Sequence, residues 1–307
     1  MTEATKETLA LVAVDWGTSN LRLTLLDASG NSIGERSSDR GMGSLEPSEF
    51  EGALLDLIDD DLPSDKVTPI ICCGMVGAAQ GWKEAVYLTT PCEPPKGVRA
   101  TPVEVNDPRI SVWILPGVKQ DSPADVMRGE ETQIAGFIAQ NPNFDGVLCL
   151  PGTHTKWARI SAGEIVSFQT FMTGEIFALL SKNSVLRHTV NGSGFDKSVF
   201  EAALSDAMSR PQSLASKLFG IRAEALVNGM SADEGKSRLS GYLIGLELAG
   251  ARPYWLGMDV ALIGAPSLAR LYQDGLAAQG VTASIHSVSE MTLSGLTAAY
   301  SVVKELN

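Results

Sequence analysis

An apolar run from Leu9 to Val14 passes into the polar turn Asp15-Trp16-Gly17-Thr18-Ser19-Asn20 and returns through Leu21 to Asp27. That pattern predicts two strands joined by a glycine-containing turn, and Ile33 to Ser38 supplies a third after Ser29-Gly30-Asn31. Pro47 to Asp60 sets Phe50, Leu54, Leu55, Leu57 and Ile58 at helical spacing, and Asp59-Asp60-Asp61 reads as a solvated helix end. Pro69 to Cys73 is a buried strand entering a glycine-rich loop, Gly74 to Trp82, and Ile110 to Leu115 is a further strand. Helical periodicity resumes from Asp125 to Ala139.

The opening pattern then recurs. Val147 to Leu150 runs into Pro151-Gly152-Thr153-His154-Thr155-Lys156 and returns through Trp157 to Ile160, with Ile165-Val166 beyond a second glycine turn. Placing Gly152-Thr153 on Gly17-Thr18 superposes strand, turn, strand, turn and strand, a mark of internal duplication. Helical stretches follow at Phe200 to Leu218 and Asp233 to Leu248, then strand Val260 to Ile263, turn Gly264-Ala265-Pro266 and helix Ser267 to Ala278. The predicted fold is therefore α/β, two related domains spanning residues 1–140 and 141–307 around a central cleft, with no Pro-, Gly- or Ser-rich linker between them. The amphipathic last helix, Glu290 to Leu306, has the option of packing back on the first domain.

Composition narrows the function. A chain of 307 residues has room for about two domains. Hydrophobic residues at 44% and charged residues at 20% are globular values. The net charge of −12 argues against a general binder of nucleic acid or anionic membrane, so small molecules are the expected partners and a homo-oligomer stays open. Met1 to Glu7 is polar and the apolar run after it is too short for a signal or a membrane span, which points to the cytoplasm. Cys72, Cys73, Cys92 and Cys149 form no CxxC pair, and His154, His188 and His286 are scattered, so zinc spacing is absent and plain thiols are expected.

Both turns offer backbone amides to phosphate oxygens. Gly17 and Gly152 permit close approach, and Thr18, Ser19, Asn20, Thr153, His154, Thr155 and Lys156 add donors. Asp15, a carboxylate ending an apolar strand, suits a Mg²⁺ ion riding on nucleotide phosphates; an Asx-closed hairpin is the bland alternative. Gly264 and Ala265 stand between a strand and a helix, generic α/β structure by itself.

These residues carry a resemblance. Asp15 to Asn20 and Leu150 to Trp157 resemble the two phosphate loops of the actin-like superfamily of acetate and sugar kinases, which have duplicated ribonuclease-H-like domains. Within it, Cys73 to Gly77 with Gln80-Gly81-Trp82, Pro116-Gly117-Val118, Asp125 to Gln133 and Phe171 to Glu175 are most similar to the 2-dehydro-3-deoxygalactonokinase family. The resemblance implies ATP- and Mg²⁺-dependent phosphorylation of the 6-hydroxyl of 2-dehydro-3-deoxy-D-galactonate in galactonate breakdown, with the adenosine on the side of Gly264 and Ala265. One departure stands out: Leu150-Pro151 occupies the place where many superfamily members carry a second acid.

Phosphoryl transfer needs a carboxylate to position or deprotonate the nucleophile. Glu131 and Glu130 are the candidates, with Asp125 behind them, although helix capping alone would explain the pair. The substrate's own carboxylate calls for a cation, first Arg128 and then Arg22, unless Arg22 merely faces solvent. Gly74, Met75, Gly77 and Gln80 line the expected sugar-acid loop, Trp82 packs either on the sugar or in the core, and Thr173 and Glu175 contribute from the opposite wall. Closure of the domains around ligand is expected, because it excludes water. The rival readings are a kinase for another sugar or 2-keto-3-deoxy acid, and a non-catalytic nucleotide-switched module.

Overall fold

The computed structural model describes residues 8–96 and 99–306; the polar segment Met1–Glu7 lies outside the described residues. The chain forms two compact units. The first comprises the chain through Phe144 together with Ser161–Ser167 and the stretch from Val288, and the second comprises Asp145–Ile160 and Phe168–Ser287.

In the first unit, β1 (Leu9–Trp16), β2 (Leu21–Asp27), β3 (Ser32–Ser38), β4 (Thr68–Gly74), β6 (Thr101–Val103) and β7 (Ile110–Ile114) make one sheet in the order β3-β2-β1-β4-β7-β6. The β1–β2 and β2–β3 pairs are antiparallel, whereas β4 runs parallel to β1 and β7 parallel to β4. Central β1 is almost wholly apolar because both its faces are covered, while edge strand β3 is polar. Helix α1 (Phe50–Ile58) closes one face, where Trp16, Phe50 and Trp82 cluster. Helices α2 (Glu130–Gln140) and α8 (Val288–Leu306) lie in this unit too, and Leu296 and Ala299 of α8 cover Leu11, Ala13 and Ile71. A side chain at Gly136 or Gly295 would collide with the backbone of Met291 or Thr132, so α2 and α8 touch backbone to backbone. That contact holds the stretch from Val288 in the first unit.

A small sheet, β5 (Tyr87–Thr89), β8 (Gly117–Asp121) and β9 (Ala124–Met127), completes the unit. It corrects the helix expected from Asp125: Gly129 at φ +108° lies outside the helical region, and α2 begins only at Glu130. Asp61 is likewise no solvated end, being buried against Arg36 at 3.1 Å.

In the second unit, β10 (Gly146–Leu150), β11 (Thr155–Ser161), β12 (Glu164–Phe171), β13 (Val260–Ile263) and β14 (Ala283–His286) are ordered β12-β11-β10-β13-β14. Again the strand after the turn pairs antiparallel, and the next two strands run parallel. The strand order repeats that of β3-β2-β1-β4-β7, the arrangement expected of duplicated ribonuclease-H-like domains. Helices α3 (Thr173–Asn183), α4 (Lys197–Ser209), α5 (Leu214–Asn228), α6 (Ala232–Gly250) and α7 (Pro266–Ala277) accompany it. The single stretch expected over Phe200 to Leu218 is two helices, because Pro211 forces Arg210 out of the α region to φ −140°, ψ 62°. Among the described residues no helix is long and apolar enough to cross a membrane.

Candidate active site

The acidic site of the first unit forms where parallel β1 and β4 end. Asp15 lies beside Cys73 in register, and Gly74 follows at φ +90°. A Cβ on Gly74 would sit 2.8 Å from the Trp16 carbonyl oxygen and 3.5 Å from Asp15 Oδ1. Gly129 rests on Gly74, its own Cβ position 3.4 Å from the Gly74 Cα. Two glycines thus dock the first turn of α2, with Glu130 and Glu131, onto the strand ends.

Glu131 is 1% exposed, and both its oxygens accept the Gly129 amide, at 2.8 and 2.7 Å. Burial raises its carboxyl to about 7, the neighbouring Glu130 charge adding to the effect. Glu130 accepts the Arg128 amide at 3.2 Å. Burial also raises Asp15, against which Arg22, 3.6 Å away, works. The Cys73 thiol is pushed well up by burial and then by Asp15 and Glu131, which places it in the field of both acids and makes it inert.

Asp15 fits a hydrated divalent cation. Mg²⁺ takes one or two carboxylates and completes its shell with phosphate and water oxygens. Beside Asp15, a cavity of about 70 Å³ lined by Arg22, Thr24, Ser289 and Thr292 has room for water, and the Thr292 hydroxyl is buried without a hydrogen-bond partner among the described residues. No cluster of three or more His, Cys, Asp or Glu that would hold a metal occurs among the described residues.

Other expected residues of this unit are placed differently. The Gly17 amide closes the turn on the Asn20 carbonyl at 2.9 Å, which leaves Thr18, Ser19 and Asn20 exposed as donors. Asp125 stands on β9 and accepts the Val126 amide, away from the first turn of α2 that it was expected to share. Trp82 stacks on Phe50 at 6.0 Å and meets Trp16 edge-on, so its ring packs in the core. Met75 is half-buried and Gln80 exposed. Arg128 lies 4.2 Å over the Tyr87 ring and donates to the Ala85 carbonyl at 2.9 Å; a Cβ on Gly77 would come within 2.8 Å of its Nη1. That Nη1 is buried with no partner among the described residues.

The second unit carries a cavity of about 360 Å³. Gly152 and Thr153 of the turn, Thr173 and Gly174 at the start of α3, Lys236 and Ser240 of α6, and Leu268, Leu271 and Tyr272 of α7 line it, with Phe177 and Phe195. Thr173 and Glu175 stand beside the second turn: Thr173 lines the cavity, the Glu175 amide donates to the Thr153 carbonyl at 3.0 Å, and its carboxylate meets His154 Nε2 at 2.6 Å. Thr153 and His154 are exposed. Thr155 and Lys156 are not free phosphate donors: Thr155 is buried against the Tyr272 hydroxyl at 3.1 Å, and Lys156, 5% exposed, donates to the Thr170 hydroxyl at 3.0 Å. Alternation along β11 explains this, since a strand must turn successive side chains to opposite covered faces. Gly264 is buried beside Pro151, and the wall is supplied by the helix after it.

The sequence reading missed Phe177, Phe195, Lys236, Ser240 and Tyr272 of this wall. It also missed Glu247, buried beneath the turn on α6.

Comparison with known proteins identifies the family. The family described as 2-keto-3-deoxy-galactonokinase matches residues 15–299. A protein of Rhizobium meliloti (strain 1021) described as a probable 2-dehydro-3-deoxygalactonokinase is 38% identical over 294 residues, 94% of this chain and 95% of the relative. The 2-dehydro-3-deoxygalactonokinase of Escherichia coli (strain K12) is 34% identical over 282 residues, 89% and 91% of the two chains. A crystal structure of a Sinorhizobium meliloti protein described as a 2-dehydro-3-deoxygalactonokinase superposes with a TM-score of 0.88 at 37% identity, covering 95% of this chain and 99% of that one. With the match running from Asp15 through Ala299, the chain belongs to the 2-keto-3-deoxy-galactonokinase family.

Proposed function

We propose that this protein transfers the γ-phosphoryl group of ATP to the 6-hydroxyl of 2-dehydro-3-deoxy-D-galactonate, giving the 6-phosphate and ADP in the cytoplasmic breakdown of D-galactonate. The observation that carries the mechanism is Glu131, a carboxylate raised by burial to about 7 and docked on the strand end that presents Asp15. A general base works best with a pKa near the operating pH. Glu131 accepts the proton of the attacking hydroxyl as the bond from that oxygen to the γ-phosphorus forms. The bond from phosphorus to the bridging oxygen of ADP breaks, and the proton then leaves Glu131 for solvent. Glu130 keeps the Glu131 proton affinity high through its neighbouring charge.

Asp15 holds Mg²⁺ through its carboxylate, and the ion, when bound, neutralises charge on the phosphates. Thr18, Ser19 and Asn20 from the first turn, and Thr153 with His154 from the second, face phosphate oxygens. The apolar cavity beside Gly152 takes the adenosine, with Lys236 and Ser240 as its polar contacts. Arg128, held over Tyr87 with Nη1 unsatisfied, meets the carboxylate of the sugar acid, and Arg22 adds positive charge at the same end.

The test is ADP release measured over a panel of hexoses and 2-keto-3-deoxy acids that includes the C4 epimer. The highest kcat/KM is expected for 2-dehydro-3-deoxy-D-galactonate, with phosphate on O6. A higher value for any other acceptor overturns the substrate assignment, and ATP binding without a phosphorylated product overturns the kinase.

A further inference from the structure

Glu247, which the mechanism above does not use, lies 1% exposed at the centre of a hydrogen-bond network within the second unit. Trp157 Nε1 donates to its Oε1 at 2.8 Å, and the Tyr272 hydroxyl donates to its Oε2 at 2.8 Å. The Thr173 hydroxyl also hydrogen-bonds to it, and the Thr155 hydroxyl donates to Tyr272 at 3.1 Å. Three donors thus converge from β11, α3 and α7 on one carboxylate of α6, with Thr155 behind Tyr272. Of the residues that they join, Thr173 and Tyr272 line the 360 Å³ cavity, and Thr155 follows directly on the turn whose Gly152 and Thr153 line it as well.

Burying a carboxylate is costly, and an apolar side chain of the same volume would stabilise this core at least as well. A fully satisfied network, in contrast, fixes the relative positions of the groups it joins. Here those groups are the turn, the first turn of α3 and the cavity wall. Direct contact reinforces the arrangement, because a Cβ on Gly174 would collide with the Gly152 carbonyl.

We infer that Glu247 is a positioning residue for nucleotide binding: through Thr155, Tyr272 and Thr173 it holds the second phosphate turn and the start of α3 in the geometry that receives the phosphates. The inference rests on the reading of this cavity as the nucleotide site.

The experiment compares wild type with Glu247→Gln, Glu247→Leu, Tyr272→Phe and the Tyr272→Phe/Thr155→Val pair, measuring ADP binding by calorimetry, KM for ATP and for the sugar acid, and Tm. Glu247→Leu is expected to weaken ADP binding by about tenfold or more and to raise the ATP KM in parallel, with the sugar-acid KM within about twofold. Glu247→Gln should stay within about threefold of wild type. Its amide oxygen still accepts from Trp157, and its NH₂ donates to Tyr272, whose hydroxyl turns to Thr155. Tyr272→Phe should fall between the two. If Glu247→Leu does not fold, the Tyr272→Phe/Thr155→Val pair carries the same expectation. Wild-type ADP affinity in the folded leucine variant or in that pair overturns the inference, as does an equal rise in both KM values. Failure of the wild-type protein to bind ADP overturns instead the assignment of the cavity.

Discussion

The two hairpins, β1–β2 and β10–β11, are the same device with opposite chemistry. Each is a strand, a Gly-Thr turn and a return strand, and each first strand has a parallel neighbour ending beside it. In the first unit the strand carries Asp15 one residue before its end, with buried Glu131 docked alongside. In the second the corresponding residue is Leu150, itself buried, and the buried acid nearby is Glu247, held by Trp157, Tyr272 and Thr173. In the function proposed above the acids therefore divide the labour: the charge assigned to metal and proton sits in one copy, and the charge assigned to holding the backbone sits in the other.

Asp15→Asn is the largest break in that contrast. It removes the charge that suits a divalent cation while keeping shape and hydrogen bonding, so kcat is expected to fall by about a thousandfold or more. Tm should change little. Calorimetric titration of ATP with and without Mg²⁺ checks the cause, since the variant should lose most of the Mg²⁺ dependence. Full activity would remove Asp15 from the metal site.

Glu131→Gln comes next, with kcat down by about a hundredfold to a thousandfold and the acceptor KM nearly unchanged. The pH dependence runs in two directions. Burial raises the carboxyl from its ordinary 4.5 to about 7, so the folded protein holds this proton more tightly than the unfolded chain does. The stability it contributes is complete below about pH 4.5 and is lost as pH climbs through about 7, a change on the order of 3 kcal/mol. Activity rises over the same approach to pH 7 as the base deprotonates. Glu131→Gln should therefore flatten the acid limb of the kcat/KM profile, and its Tm should overtake that of wild type between pH 5 and 8. A wild-type profile with no limb near pH 7 would move the base elsewhere.

Both hairpins were legible in the sequence because a turn and its flanking strands are written in adjacent residues. Asp15 is named there as a carboxylate ending an apolar strand and Glu131 as one of an adjacent carboxylate pair, and the structure docks the two segments on each other through Gly74 and Gly129. The strand at Asp125–Met127 was not legible, because periodicity alone does not show that Gly129 adopts φ +108° and breaks the helix there. Nor were Phe177, Lys236 and Tyr272, which meet around one cavity from three helices far apart in the chain. Glu247 had no local signal either. Gly241 and Gly245, four apart, mark the face of α6 that packs on the backbone of α4, and Glu247, two residues further on, lies on a different face.

Leu150→Asp sharpens the comparison by writing the first hairpin's charge into the second. Leu150 is 3% exposed, so the variant loses buried apolar contact and takes on an uncompensated carboxyl, a cost of about 3 kcal/mol. Tm should drop by several degrees, and turnover at a temperature where the variant stays folded should not exceed that of wild type. A rise in turnover would mean that a second acid is useful at this turn, and that the asymmetry is an accident of this chain.

The smallest effect separates two cations. Arg22 stands across the ladder from Asp15, and Lys156 stands across from Leu150. The Arg22 side chain is 63% exposed and 3.6 Å from its partner, so Arg22→Ala should change stability by no more than about 0.5 kcal/mol. Its consequence should appear in the acceptor KM, raised by about threefold, with the ATP KM unmoved. Lys156 is buried and bonded to Thr170, so Lys156→Ala should cost about 2 kcal/mol through the lost packing of its stem, with no selective effect on either KM. Two thermal melts and two substrate titrations decide the point. If the alanine at 22 proves the more destabilising, or the one at 156 raises the ATP KM alone, the cations have exchanged the roles that their burial assigns them.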